Sequence, residues 1–270
     1  MAVRKLLVLG YSAVAYVAFV VSFAYTIGFL ADVVVPKGVD DGPVGPACLA
    51  VVVDAALLGL FAVQHSVMAR PWFKRWLTRV VAPAIERSTY VLASSLAVAL
   101  LLWQWRPLPA TVWSVSLDWL RFALWLLYGL GWVVLLFATI QIGHFDLFGI
   151  RQALARWRDR AYGEPEFRTP LLYRLVRHPI MLGFLIAFWA TPEMSVGRLL
   201  FAGAATGYIL VGVRFEEHDL RRELGAVYER YLTEVPGLVP RLPFRAGGSA
   251  NAPAGPAAEP VRASRAQRRP

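Results

Sequence analysis

Apolar residues are gathered into long blocks separated by short polar breaks. From Leu6 to Leu30 no charged side chain occurs, and the block is too long for the apolar core of a secretory leader, so it reads as a retained helix. Pro36, Gly38, Gly42, Pro43, Gly45 and Pro46 then break the chain. A second block runs from Ala47 to Met68, a third from Tyr90 to Trp105 and a fourth from Trp119 to Ile142. Blocks near the roughly 20 residues that cover a bilayer's hydrocarbon predict membrane-spanning helices. Pro179 to Ala190 is apolar for only 12 residues; Thr191-Pro192-Glu193 interrupts it, and Leu199 to Val213 resumes it. That pattern predicts two short helices in a hairpin. The expected fold is an all-α integral membrane protein with four transmembrane helices plus a carboxy-terminal helical hairpin and a cytoplasmic cofactor pocket. Residues 1–245 read as one membrane domain, with 1–142 the four-span bundle and 143–245 the hairpin and cytoplasmic segment. Residues 246–270, rich in Ala, Pro, Gly and Arg, read as a disordered tail. No internal repeat is visible.

Composition agrees with the membrane reading. Of the 270 residues 57% are apolar, against about 45–50% for a soluble domain, and the mean hydropathy is +0.51. Charge adds an orientation. With the amino terminus in the cytoplasm, all but Lys37, Arg106, Arg121 and Arg198 of the 28 Lys and Arg lie in cytoplasmic segments, as the positive-inside rule requires of a multi-pass protein of a bacterial inner membrane. The net charge of +10 therefore needs no nucleic acid: the basic residues flank spans and form no stripe. A lone Cys48, in PACLAVVV, excludes an internal disulfide and a Cys-rich metal site and reads as helix surface. No Gly-rich turn joins a strand to a helix, which excludes a Rossmann-type nucleotide fold. No His pair at i,i+4 with a third ligand is present, so no metal site is expected.

Ionisable residues at or inside spans are expensive and point to function. Here they collect at one end: Gln64 and His65 close the second block, Gln141, His144 and Asp146 close the fourth, Arg177-His178-Pro179 open the hairpin, and Arg214, Glu216, Glu217 and His218 finish it. All four His belong to this set. Singly, each has a plain structural explanation. His65 suits a headgroup anchor, Pro179 suits a first helical turn, Arg177 suits a lipid phosphate, Glu217 with Arg221 makes an ordinary i,i+4 pair, and Tyr228 and Tyr231 suit interfacial anchors.

Together they form a recognisable series. LVRHPIMLGFLIAF, then VRFEEHDLRRELGAVYERYLTEVPGLVP, resembles the carboxy-terminal half of the isoprenylcysteine carboxyl methyltransferase and phospholipid methyltransferase superfamily. Arg177, His178, Pro179, Glu216, Glu217, Leu220, Gly225, Tyr228, Tyr231 and Pro240 match its motif by order and spacing, over about a quarter of the chain; Met181 stands where the motif carries Tyr. QHSVMAR (64–70), ERSTYVL (86–92) and HFDLFGIRQ (144–152) are similar to the bacterial branch that includes methanethiol S-methyltransferases and nitrite- and nitric-oxide-associated membrane proteins.

The resemblance implies S-adenosylmethionine as cofactor, a small thiol as substrate, and membrane lipid as the surroundings. Nothing in the sequence sets an oligomeric state. The zwitterionic head of the cofactor needs a carboxylate for its ammonium, from Glu216 or Glu217, and a cation for its carboxylate, from Arg177, Arg214 or His178. Aromatic faces hold a sulfonium; Tyr228, Tyr231 and Phe184 are candidates, with Pro179 and Met181 on the same wall. His65, Gln141 and Tyr90 are expected on the substrate side. Methyl transfer is an in-line displacement, and holding sulfur, methyl and sulfonium collinear in a dry site supplies much of the rate. A thiol with a pKa of about 8.5 is only a few per cent thiolate at pH 7, so a base is expected: His144 with Asp146 first, His178 second. Two alternatives stay open. A prenylcysteine or lipid methyltransferase would need a wide lateral opening, and a non-enzymatic accessory protein would need no cofactor.

Overall fold

The computed structural model describes residues 2–163 and 167–240. Eleven α-helices are present there: α1 Ala2–Ala31, α2 Ala47–Ala69, α3 Pro71–Val80, α4 Glu86–Gln104, α5 Asp118–Ile142, α6 His144–Leu147, α7 Ile150–Trp157, α8 Leu171–Leu175, α9 Pro179–Trp189, α10 Val196–Leu224 and α11 Ala226–Glu234. Two short strands, β1 Thr111–Ser114 and β2 Glu193–Ser195, accompany them. The tail expected from residue 246 lies outside the described residues.

Five helices are long and apolar enough to cross a membrane: α1, α2, α4 with the turn before it, α5 and α10. Four lie close to the apolar blocks. The fifth differs from expectation: the hairpin's second arm is not a short helix over Leu199–Val213 but a continuous helix of 29 residues. Ser195 starts it early, its hydroxyl accepting from the Arg198 N–H. The polar stretch after Val213 then keeps the helix going, because Glu, Leu and Arg are good helix formers whatever their hydropathy, until Gly225 turns the chain with φ +56. Pro179 stands in the first turn of α9, where its missing N–H costs nothing.

The ribbon was not expected of an all-α chain. Thr111 pairs with Ser195, Trp113 with Met194 and Ser114 with Glu193, antiparallel. It joins the α4–α5 connection to the α9–α10 connection. α5 runs from that end to His144 at the other, and α9 packs along α5. Although α9 has only 11 residues, the hairpin thus runs from the basic end of the bundle to the end opposite. α9 and α5 touch through glycines. A Cβ on Gly183 would stand 2.6 Å from the Gly131 carbonyl oxygen and 2.8 Å from the Leu135 nitrogen, the close backbone approach that small residues allow between membrane helices.

Ion pairs close the opposite end. Buried Arg198 lies 3.3 Å from Asp32 and 3.2 Å from Asp40 and donates to the Glu193 carbonyl. Lys37 donates to the carbonyls of Trp103 and Trp105, and the Arg106 N–H donates to Asp54. At the basic end α3 exposes Trp72 and Trp76 beside Lys74, Arg75 and Arg79, the composition of a helix lying in a membrane interface.

Candidate functional site

Two adjoining features occupy the basic end of the bundle. The first is a polar knot between the start of α9 and the end of α10. Glu217 Oε1 accepts from Arg177 Nε at 2.9 Å, from Arg177 Nη2 at 2.7 Å and pairs with His178 Nε2 at 3.0 Å. Arg177 Nη1 donates to the Leu232 and Val235 carbonyls at the end of α11, where the helix dipole favours a cation. The N–H groups of Arg177 and His178 donate to the carbonyls of Pro236 and Gly237. The spaced motif is therefore one folded unit: the segment after α11 returns to pair with the residues before α9.

His178 is buried, with Nδ1 3.5 Å from the half-exposed carboxylate of Glu216. Burial alone would lower its pKa, but the two carboxylates outweigh it and raise the value above the ordinary histidine range. Tyr228 and Tyr231 are buried beneath the knot. Burial, with Glu217 nearby, pushes Tyr228 up to about 12; burial, with Tyr228 nearby, pushes Tyr231 up to about 12. Tyr231 donates to the Tyr173 carbonyl and so ties α11 to α8.

The second feature is a cavity of about 700 Å³ between α1, α2, α4, α5, α9 and α10. Ile180, Met181 and Phe184 form part of its wall, so a single turn of α9 connects knot and cavity. His65, Tyr90 and His144 also line it; no Asp, Glu, Lys or Arg does. His65 lies 2.7 Å from the Tyr90 hydroxyl and 3.1 Å from the Ser94 hydroxyl. His144 Nδ1 lies 2.9 Å from Thr139 Oγ1 and Nε2 lies 2.9 Å from Tyr16 Oη. Thr139 already donates its proton to the Leu136 carbonyl. It must therefore accept from His144 Nδ1–H, which leaves Nε2 as the basic nitrogen, facing the Tyr16 O–H. Burial lowers the His144 pKa, so this imidazole is neutral at pH 7.

The expected pairing of His144 with Asp146 does not form. Gly143, at φ +99, turns the chain sharply after α5, and Asp146 is buried on the other side of the turn. There it accepts from Arg151 at 2.6 Å and from the Tyr162 hydroxyl at 3.2 Å, while Arg87 donates to its carbonyl. Asp146 thus holds the corner that presents His144. Arg177, expected to meet a ligand carboxylate, has its guanidinium committed to Glu217 and α11. Arg214 is exposed on α10. Gln141 accepts from the Leu172 N–H, while its Nε2 is buried with no partner. Tyr16, Ser94 and Thr139 were missed by sequence reasoning, because other hydroxyl residues share α1 and α4 with the first two and nothing in the order of residues sets the three apart. Among the described residues no group of three His, Cys, Asp or Glu is placed to hold a metal ion.

The model of the NnrU protein family matches residues 55–231. Methanethiol S-methyltransferase of Mycobacterium tuberculosis is 56% identical over 237 residues, covering 88% of this chain and 97% of that protein. Methanethiol S-methyltransferase 2 of Bradyrhizobium diazoefficiens is 54% identical, covering 88% of this chain and 92% of that protein. Nurim of Bos taurus is 29% identical over 62% of this chain and 67% of its own length. These are relatives of the kind the QHSVMAR, ERSTYVL and HFDLFGIRQ stretches suggest. No solved structure matches the chain.

Proposed function

The chain belongs to the NnrU protein family, and from that premise we propose that it methylates methanethiol to dimethyl sulfide with S-adenosylmethionine as donor. The relatives named for that reaction support it, since they align over nearly their whole length. The observation that carries the reading is the continuity of the two features: residues 177–181 begin in the charged knot and end in the wall of an uncharged cavity. A charged donor and an apolar acceptor need such neighbouring compartments.

The donor's amino acid head fits the groups present. The half-exposed Glu216 carboxylate suits its ammonium, the His178 imidazole, whose pKa the neighbouring carboxylates raise, and the exposed Arg214 suit its carboxylate, and the unpartnered Gln141 Nε2 is a further donor. When bound, S-adenosylmethionine supplies an electrophilic methyl group on a sulfonium. Glu217, fixed by Arg177, orients His178. Met181 and Phe184 exclude water between the compartments. His144 Nε2 takes the thiol proton, after exchanging its hydrogen bond from Tyr16 for one from the substrate. The positive-inside pattern supports a cytoplasmic position for this end in a bacterial inner membrane, with methanethiol entering the cavity from the lipid.

The test supplies purified protein in liposomes with methyl-labelled donor and methanethiol, and measures labelled dimethyl sulfide in the headspace. Label should appear, and His178→Ala should lose donor binding measured by calorimetry. Folded wild-type protein that binds the donor yet yields no dimethyl sulfide would overturn the assignment.

A further inference from the structure

The cavity is far larger than the proposed substrate. Methanethiol has two heavy atoms, about 60 Å³ if each takes the ~30 Å³ of a liquid water; the cavity holds about 700 Å³. It is also deep. Along α4 its wall runs from Tyr90 to Leu102, 12 residues apart, which is about 18 Å at ~1.5 Å per residue. His65, Tyr90, Thr139 and His144 line the part near the knot, with the carbonyl end of α5 beside them; farther in, Ser22, Thr26 and Ser95 also line it, but their hydroxyls donate to carbonyls of their own helices. Its deeper part is formed by Val98, Leu101, Trp132, Phe188, Phe201 and Ala205.

Resting on the methyltransferase reading above, we propose that the same site methylates longer uncharged thiols, alkanethiols and arenethiols, whose thiol sits at His144 and whose tail fills the deep part of the cavity. An extended chain advances about 1.2 Å per bond, taking ~3.6 Å for the three backbone bonds of a residue; a tail of about fifteen carbons would span the wall, so a six-carbon tail fits well within it. The balance is that of the smaller substrate. The thiol S–H gives its proton to His144 Nε2, the sulfur lone pair forms the new S–CH3 bond, and the methyl–sulfonium bond of the donor breaks with its electron pair staying on the departing thioether. No oxidant or reductant enters. Charged thiols are excluded, because the wall holds no ion to pair with a buried carboxylate or ammonium.

The experiment uses the full chain in liposomes with methyl-labelled sulfonium donor. Methanethiol, butanethiol, hexanethiol, benzenethiol and 3-mercaptopropionate are compared at known aqueous concentrations. All but the last should be methylated, with kcat/KM rising about fourfold per methylene, the equivalent of ~0.8 kcal/mol. Partition into lipid would raise the apparent value without any cavity, so two variants separate the sources. Ala205→Phe and Val98→Phe should each cut hexanethiol turnover at least tenfold and leave methanethiol unchanged. Methylation of methanethiol alone overturns the proposal and points to a lipid chain in the cavity. Hexanethiol turnover unaffected by both variants, or 3-mercaptopropionate turned over as well as butanethiol, overturns it too. Methylation of no thiol instead removes the reading on which it rests.

Discussion

Replacing Glu217 by Leu tests whether the knot is a unit. Its Oε1 meets three donors, two from Arg177 and one from His178, at 2.7 to 3.0 Å. The Arg177 and Glu217 side chains are only 13% and 16% exposed, so solvent screens the pair weakly. Removing the carboxylate leaves the desolvated Arg177 guanidinium with carbonyl partners but no counter-charge, and His178 with only the half-exposed Glu216, a loss of about 3–5 kcal/mol for a buried ion pair with one partner removed. Arg177→Met alone should cost a similar amount, since it also uncaps α11. The double variant should cost less than the sum, with about 2–3 kcal/mol of coupling, because an apolar pair of similar volume leaves no buried charge behind. The assay is reversible unfolding of the purified protein in mixed micelles, comparing the four members of the cycle at pH 6. Single variants that each cost under ~1 kcal/mol, or a double variant equal to the sum, would refute the reasoning: Arg177 and Glu217 would then be independent surface charges.

The remaining predictions concern protonation, the base and packing. The raised pKa of His178 means that its protonated form stabilises the fold; the contribution is complete below the unfolded value of about 6.5 and is lost as pH rises through the higher folded value. Stability should fall above pH 6.5 in wild type and fall less in His178→Gln; parallel curves would argue against a charged His178. His144→Ala should lower kcat by about 10²-fold, whereas Asp146→Asn should lower stability by about 1–3 kcal/mol with kcat per folded molecule retained; a normal fold with a hundredfold loss of kcat in Asp146→Asn would restore the His144–Asp146 relay. Gly183→Ala should destabilise by about 1–3 kcal/mol through the Gly131 contact, and Gly203→Ala, whose Cβ meets nothing within 4 Å, should not; equal unfolding midpoints would show that α9 yields to the added methyl.

Much of this arrangement could be read from residue order. The apolar blocks marked four of the five long helices because hydropathy and helix length are both set by the bilayer. α10 was cut short because hydropathy ends at Val213 while helix propensity does not, and only Gly225 stops the chain. The ribbon escaped notice because strands of three and four residues show no periodicity. At the site, Arg177, His178, Glu216 and Glu217 were legible as a spaced motif, yet their mutual pairing was not: sequence shows that charges are present, not which of them neutralise one another. His144 and Asp146 looked like partners because they stand two residues apart. The backbone turn at Gly143 sends one into the cavity and the other to Arg151. Thr139 and Tyr16, which fix the histidine's tautomer, carry no distinguishing pattern among neighbouring apolar residues.

The closed end of the bundle has a consequence for the cell's energy supply. The cavity opens beside ionisable groups at the basic end and reaches past the middle of the helices. Were it continuous with the other side, its histidines and hydroxyls could relay protons down an electrochemical gradient. Beyond its deepest residues, however, stand the packed rings of Phe29 and Trp105, then the Arg198 ion pairs and the β1–β2 ribbon. Neither ring carries a group that takes up a proton, and beyond them Arg198, held between Asp32 and Asp40 and always protonated, cannot accept one. On the proposed function, a deep site inside the membrane is thereby insulated from the opposite side, and methyl transfer there would leave a proton gradient intact.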